Sequence, residues 1–219
     1  MTSDQQARTT EYTDRERFVD GIVHILGVVS SLVAVAVLIF LSAMWRDTTT
    51  TTSAAIYGVS AAAVFVFSAA YHRAREPALK AILRRFDHAA IFIKIAGTYT
   101  PFAMVSIGGA YGFKLLLAVW GIAVVGVTLK LAGWQVSKKI SAALYLAQGW
   151  LIMFAIDPFR EALEPIEMIL CMLGGALYTS GVGFFLASRL LHHNAIWHAF
   201  VLAASACFYV AILKAVVLR

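Results

Sequence analysis

The chain is 219 residues long, 61% of them apolar and only 14% charged, with a formal net charge of +6. A soluble domain is ~45–50% apolar and ~25% charged, so this composition excludes an ordinary soluble fold and predicts an integral membrane protein. The basic residues are spread over several short segments rather than one patch, which leaves no nucleic-acid surface, and two cysteines inside apolar stretches exclude a disulfide framework.

Residues 1–20 form a polar tail that lacks the charged, apolar and small-residue order of a cleaved signal peptide, and it becomes helical towards Glu16–Asp20. Seven apolar stretches follow, at 21–45, 53–72, 88–106, 112–132, 140–157, 166–187 and 195–217. Each is near the ~20 residues that carry a helix across a hydrocarbon core ~30 Å thick. None alternates with period two, which excludes a membrane β-barrel. The expected fold is therefore an all-α integral membrane protein, a seven-transmembrane-helix bundle over residues 21–219, multi-pass in a cell membrane with lipids as its surroundings. Trp45, Trp134 and Trp150 are expected near span ends, where amphipathic rings are favoured. Gly174, Gly175, Gly181 and Gly183 permit close helix packing.

Lysine and arginine set the expected orientation. The tail and the second, fourth and sixth loops carry twelve of them, and the opposite side carries five. The positive-inside rule then places the N-terminus in the cytoplasm and the C-terminus outside.

Ionisable residues in membrane spans are costly and are functional candidates by default. Here they are His24, His72, Asp87, His88, Lys94 and His198, with Ser68 and Asn194 as polar companions. The topology brings all but Lys94 to the cytoplasmic ends of the first, second, third and seventh spans. Ser68 and His72 are four residues apart and share a helix face, as do Asn194 and His198. Imidazoles with a carboxylate suit Zn²⁺, and three protein ligands plus a water is the catalytic pattern. Asp87 would orient that water or accept its proton. No CxxC, HExxH, P-loop or GxSxG motif points to other chemistry.

These residues sit in recognisable stretches: SAAYH at 68–72, FDH at 86–88, GTYTPF at 97–102, YLAQGW at 145–150 and NAIWH at 194–198, with DGIVHILG at 20–27. Together they resemble the bacterial hemolysin III family, the prokaryotic branch of the progestin and adipoQ receptor superfamily, over about residues 20–217. The resemblance implies seven spans with the N-terminus inside and a zinc ion near the cytoplasmic face. It implies that His72 and His198 are ligands, that Asp87 contacts the zinc-bound water, and that Ser68 is a neighbouring or oxyanion residue. Asn194 stands where the better understood adiponectin receptors have the first histidine of an HxxxH pair. Asn194 through its carbonyl, the adjacent His193, His24 or His88 are the candidates for the open ligand position.

Two functions follow. One is a zinc-dependent hydrolase of lipid amide or ester bonds, similar to ceramidase-like receptors, with a lipid substrate entering between helices. The other is a non-enzymatic membrane-homeostasis, receptor-like or channel-like protein with a structural metal or none. Lys94, seven residues after Asp87, shares its helix face and leans towards it. It is expected within salt-bridge or water-mediated reach of Asp87, supplying positive charge where the ligand histidine is missing.

Overall fold

The computed structural model describes residues 14–134, 136–187 and 190–219, with the side chains of 14–17 left aside. Among the described residues there are eight α-helices: α1 (Asp14–Trp45), α2 (Thr48–Arg73), α3 (Pro77–Pro101), α4 (Gly109–Leu131), α5 (Lys138–Gly149), α6 (Ile156–Ala162), α7 (Pro165–Leu186) and α8 (His193–Ile212). Seven helical segments are long and apolar enough to cross a membrane, α5 and α6 jointly forming the fifth at Lys138–Ala162. The seven expected stretches are all present.

Polar residues at the helix starts fix the boundaries. Asp47 caps α2 by accepting from the Thr50 backbone N–H, and Glu76 caps α3 by accepting from Leu79 and Ala78, with Pro77 in the first turn. The Asp47 carboxyl is held below its ordinary pKa by the Thr50 side chain first and the Thr50 backbone N–H second, and that of Glu76 mainly by the Leu79 N–H. Glu164 and Glu167 form a reciprocal capping box on α7, which also begins with proline. After Pro101, α3 continues as a π-helix to Ile107 and stops where Gly108 and Gly109 take φ of +62° and +56°. Side chains other than hydrogen are strained in that conformation, so the α3–α4 turn needs these glycines.

Sequential helices pack as neighbours, α1 on α2, α2 on α3, α3 on α4 and α7 on α8, and α8 returns to α1 to close the bundle. Spans two and three are the most enclosed, each 56% buried across its apolar window. They approach closely because Gly97 has no side chain: a Cβ there would fall 2.1 Å from Ser60 Oγ, with the Ile56 carbonyl behind it.

The fifth span is broken. α5 ends at Gly149, and a 3-10 turn over Leu151–Ala155 joins it to α6. Broken helices are tolerated at membrane depth where neighbouring groups satisfy the freed backbone. Tyr99 supplies this, its hydroxyl donating to the Gly149 carbonyl at 2.6 Å and accepting from the Ile152 N–H at 3.0 Å. The fully buried Gln148 amide donates to the carbonyls of Phe92 and Val119, both at 3.1 Å. Tyr145 donates to the His88 carbonyl at 3.0 Å. The stretches GTYTPF and YLAQGW are thus joined: one docks the broken span that the other forms. Trp150 consequently sits in the middle of the fifth span, not at its end, whereas Trp45 and Trp134 are exposed at helix ends as expected.

Candidate metal centre

Three imidazoles from three helices converge at one end of the bundle. His24 (α1), His72 (α2) and His198 (α8) each offer a ring nitrogen, and these atoms lie within 4.8 Å of one another. Ring centroids are 4.6 Å apart for His24 and His72, 4.4 Å for His24 and His198, and 5.3 Å for His72 and His198. The level follows from helix direction. His24 lies three turns into α1, His72 at the end of the antiparallel α2, and His198 in the second turn of α8.

Asp20 fixes how two of these rings point. The Nδ1–H of His24 donates to the Asp20 backbone carbonyl at 2.7 Å, and His72 Nδ1 lies 3.0 Å from the Asp20 carboxylate. A carbonyl only accepts, so His24 Nδ1 carries the proton and its Nε2 carries the lone pair. The carboxylate sets the same tautomer in His72. Asp20 is 4% exposed, and its second oxygen has no hydrogen-bond partner among the described residues. Three ring nitrogens within 4.8 Å of one another, beside a buried carboxylate with spare capacity, form a donor set that can hold a metal ion.

Ser68 and Asp87 complete the layer. Ser68 Oγ is 3.2 Å from His24 Nε2 and is almost fully buried. Its hydroxyl also interacts with the half-buried Asp87 carboxyl, which lies in the field of His72. Ser68, His72, Asp87 and His198 all face a cavity of about 810 Å³, whose deeper wall is mostly apolar and includes Phe102, Ile156 and Phe159.

The remaining expected residues fall elsewhere. His88 lies in the field of Lys130, Arg84 and Lys138, away from the trio. His193 is the first residue of α8 and so lies ~140° round the helix from His198. It and Asn194 line the cavity outside the trio of imidazoles. Lys94 does not ion-pair with Asp87 among the described residues; its ammonium donates to the Tyr178 hydroxyl. Two helical turns separate Lys94 from Asp87, ~10 Å along the axis, and Tyr178 offers an acceptor at its own level. The sequence places Asp20 in a polar tail whose first 13 residues lie outside the described residues; α1 starts at Asp14 and carries Asp20 into the bundle. Its signal is the spacing to His24, the same four residues that link Ser68 to His72.

A helical bundle of seven membrane-crossing segments, with three histidines gathered at one end over an apolar-walled cavity, defines a class of multi-pass membrane protein with a candidate metal centre. The family model described as "Haemolysin-III related" matches residues 13–209, and the chain belongs to that family. It is 35% identical to the hemolysin-3 homolog of Bacillus subtilis (strain 168) over 92% of this chain and 95% of that one. It is 33% identical to hemolysin-3 of Bacillus cereus, over 96% of both chains. The human monocyte to macrophage differentiation factor is 26% identical over 73% of this chain and 68% of its own. No solved structure matches significantly.

Proposed function

We propose that the protein is a zinc-dependent hydrolase of lipid amide or ester bonds, with His24, His72 and His198 as the ligands. The observation that carries this reading is that two of the trio, His72 and His198, line a cavity large enough for an acyl chain, beside a serine and a carboxylate. Tetrahedral zinc with Zn–N bonds of ~2.0–2.1 Å needs ligand nitrogens roughly 3.3 Å apart. Nitrogens already within 4.8 Å reach that spacing by small side-chain rotations. His24 then fills the position that Asn194 leaves open.

Zinc held there supplies a water whose pKa is lowered towards neutrality. With the metal bound, Asp87 would serve as the proton acceptor and would return the proton to the leaving group. The Ser68 hydroxyl, once His24 Nε2 is engaged, is free to donate to Asp87 or to a carbonyl oxygen. Asp20 keeps the rings of His24 and His72 turned inward. The apolar cavity wall holds the acyl chain and excludes bulk water from the reacting carbonyl.

The test is fatty-acid release from a long-chain lipid amide and a monoacyl ester by the purified, zinc-loaded protein. Wild type should release fatty acid from at least one substrate. Asp87→Asn should retain zinc and lose about 100-fold or more in rate, the usual contribution of a positioned proton acceptor. Zinc-loaded protein without turnover, or an Asp87→Asn variant as active as wild type, overturns the hydrolase reading and favours a structural metal.

The histidine end faces the cytoplasm in this reading, as the twelve-to-five distribution of basic residues implies. Alkaline phosphatase fused after Arg219 should be active and a fluorescent protein fused there dark. The opposite pair of results reverses the orientation.

A further inference from the structure

A second polar group lies two turns deeper in the same cavity, and the metal reading makes no use of it. Lys94 on α3 is 4% exposed. Its ammonium donates to the Tyr178 hydroxyl of α7. That hydroxyl lies 2.9 Å from Ser205 Oγ of α8, and the Ser205 hydroxyl donates to the Val201 carbonyl at 2.6 Å. The direction of the chain is therefore settled: Lys94 gives to Tyr178, Tyr178 to Ser205, and Ser205 to a backbone carbonyl. Every acceptor in it is neutral. No carboxylate lies within ion-pairing distance of Lys94 among the described residues.

A lysine inside a membrane bundle is expensive unless it is paired or faces a watery or ligand-filled space. Positive-inside topology does not explain it, because Lys94 sits within a span instead of in a loop. An ammonium has three donors, and the tyrosine accounts for one. Both Lys94 and Tyr178 line the cavity, so the remaining N–H groups have a route to a ligand.

We propose that Lys94, held in place by Tyr178, seats the carboxylate of a single-chain lipid anion, a long-chain fatty acid, whose tail fills the apolar end of the cavity near Phe102, Phe159 and Met172. The carboxylate supplies the one negative charge that the lone ammonium lacks, and as a pure acceptor it matches that donor. A cavity of about 810 Å³ suits one compact ligand, since such sites span ~300–1,000 Å³. The seat does not depend on the hydrolase reading, because it uses none of the histidines.

Native mass spectrometry of the detergent-purified full chain, titrated with oleate or with methyl oleate, tests this. Oleate should bind wild type about tenfold or more tightly than Lys94→Met, the loss of a charge-assisted hydrogen bond. Methyl oleate, which lacks the charge, should bind both proteins equally and so also shows that the variant is folded. Lys94→Gln replaces Lys94→Met if the latter does not fold. His72→Ala combined with His198→Ala should leave oleate binding unchanged. Equal oleate binding by wild type and the Lys94 variant overturns the proposal. So does equal binding of oleate and methyl oleate to wild type, or loss of oleate binding in the double histidine variant with retention in Lys94→Met, which would place the carboxylate at the metal centre.

Discussion

The two polar layers of the cavity handle the same problem, charge in an apolar bundle, in different ways. In the histidine layer the cost is met from within. Asp20 serves two rings, Ser68 bridges His24 and Asp87, and one buried Asp20 carboxylate oxygen is left without a hydrogen-bond partner among the described residues. In the deeper layer a cation is held by neutral groups only. The first layer thus lacks positive charge and the second lacks negative charge. A single polar residue in a span can signal either situation, and what separates them is the sign of the charge that the surrounding helices fail to supply.

The layers should respond independently if this distinction is right. Asp20→Ala removes the carboxylate that orients His72 and should weaken zinc binding by about 10–100-fold, the usual effect of losing an outer partner of a ligand histidine. Lys94→Met should change zinc affinity by less than about threefold, because two helical turns separate it from the trio. Chelator competition on the purified variants measures both. A Lys94→Met protein whose zinc affinity shifts as much as that of Asp20→Ala would make the two layers one electrostatic unit.

A smaller effect is expected from the scaffold that aligns them. Gly97→Ala puts a methyl group against Ser60 Oγ and Cβ with a backbone carbonyl behind. The α2–α3 contact must open, at a cost of about 1–3 kcal/mol, as for other overpacked sites. Since α2 carries Ser68 and His72 and α3 carries Asp87, the variant should show a lower Tm and slower lipid hydrolysis while keeping its zinc. An unchanged Tm would mean that the Gly97 approach is not needed to bring the two helices together.

The sequence reveals some of these features far better than others. The seven spans are legible because a long apolar run has few other stable fates. That His24, His72 and His198 share one end of the bundle is legible, because helix direction alone brings them there. The third member of the trio is not legible, since the choice between His24 and Asn194 depends on the rotation of α1 against α8, which no spacing within one helix records. Asp20 was hidden by the charged residues before it, which read as tail. Tyr178 and Ser205 carry no signal, because neutral polar residues are common in spans, and the sequence offers Lys94 only Asp87, the one carboxylate on its own helix. The break in the fifth span leaves only Gly149 as a signal, and its stabilising partner, Tyr99, comes from another span.

The ligand set is decided by the zinc content of protein purified in parallel as wild type, His24→Ala and Asn194→Ala. Wild type and Asn194→Ala should each carry about one zinc per chain and His24→Ala close to none, because two imidazoles hold the ion far more weakly than three. Zinc retained in His24→Ala and lost in Asn194→Ala would contradict the three-histidine centre and return the third ligand position to α8.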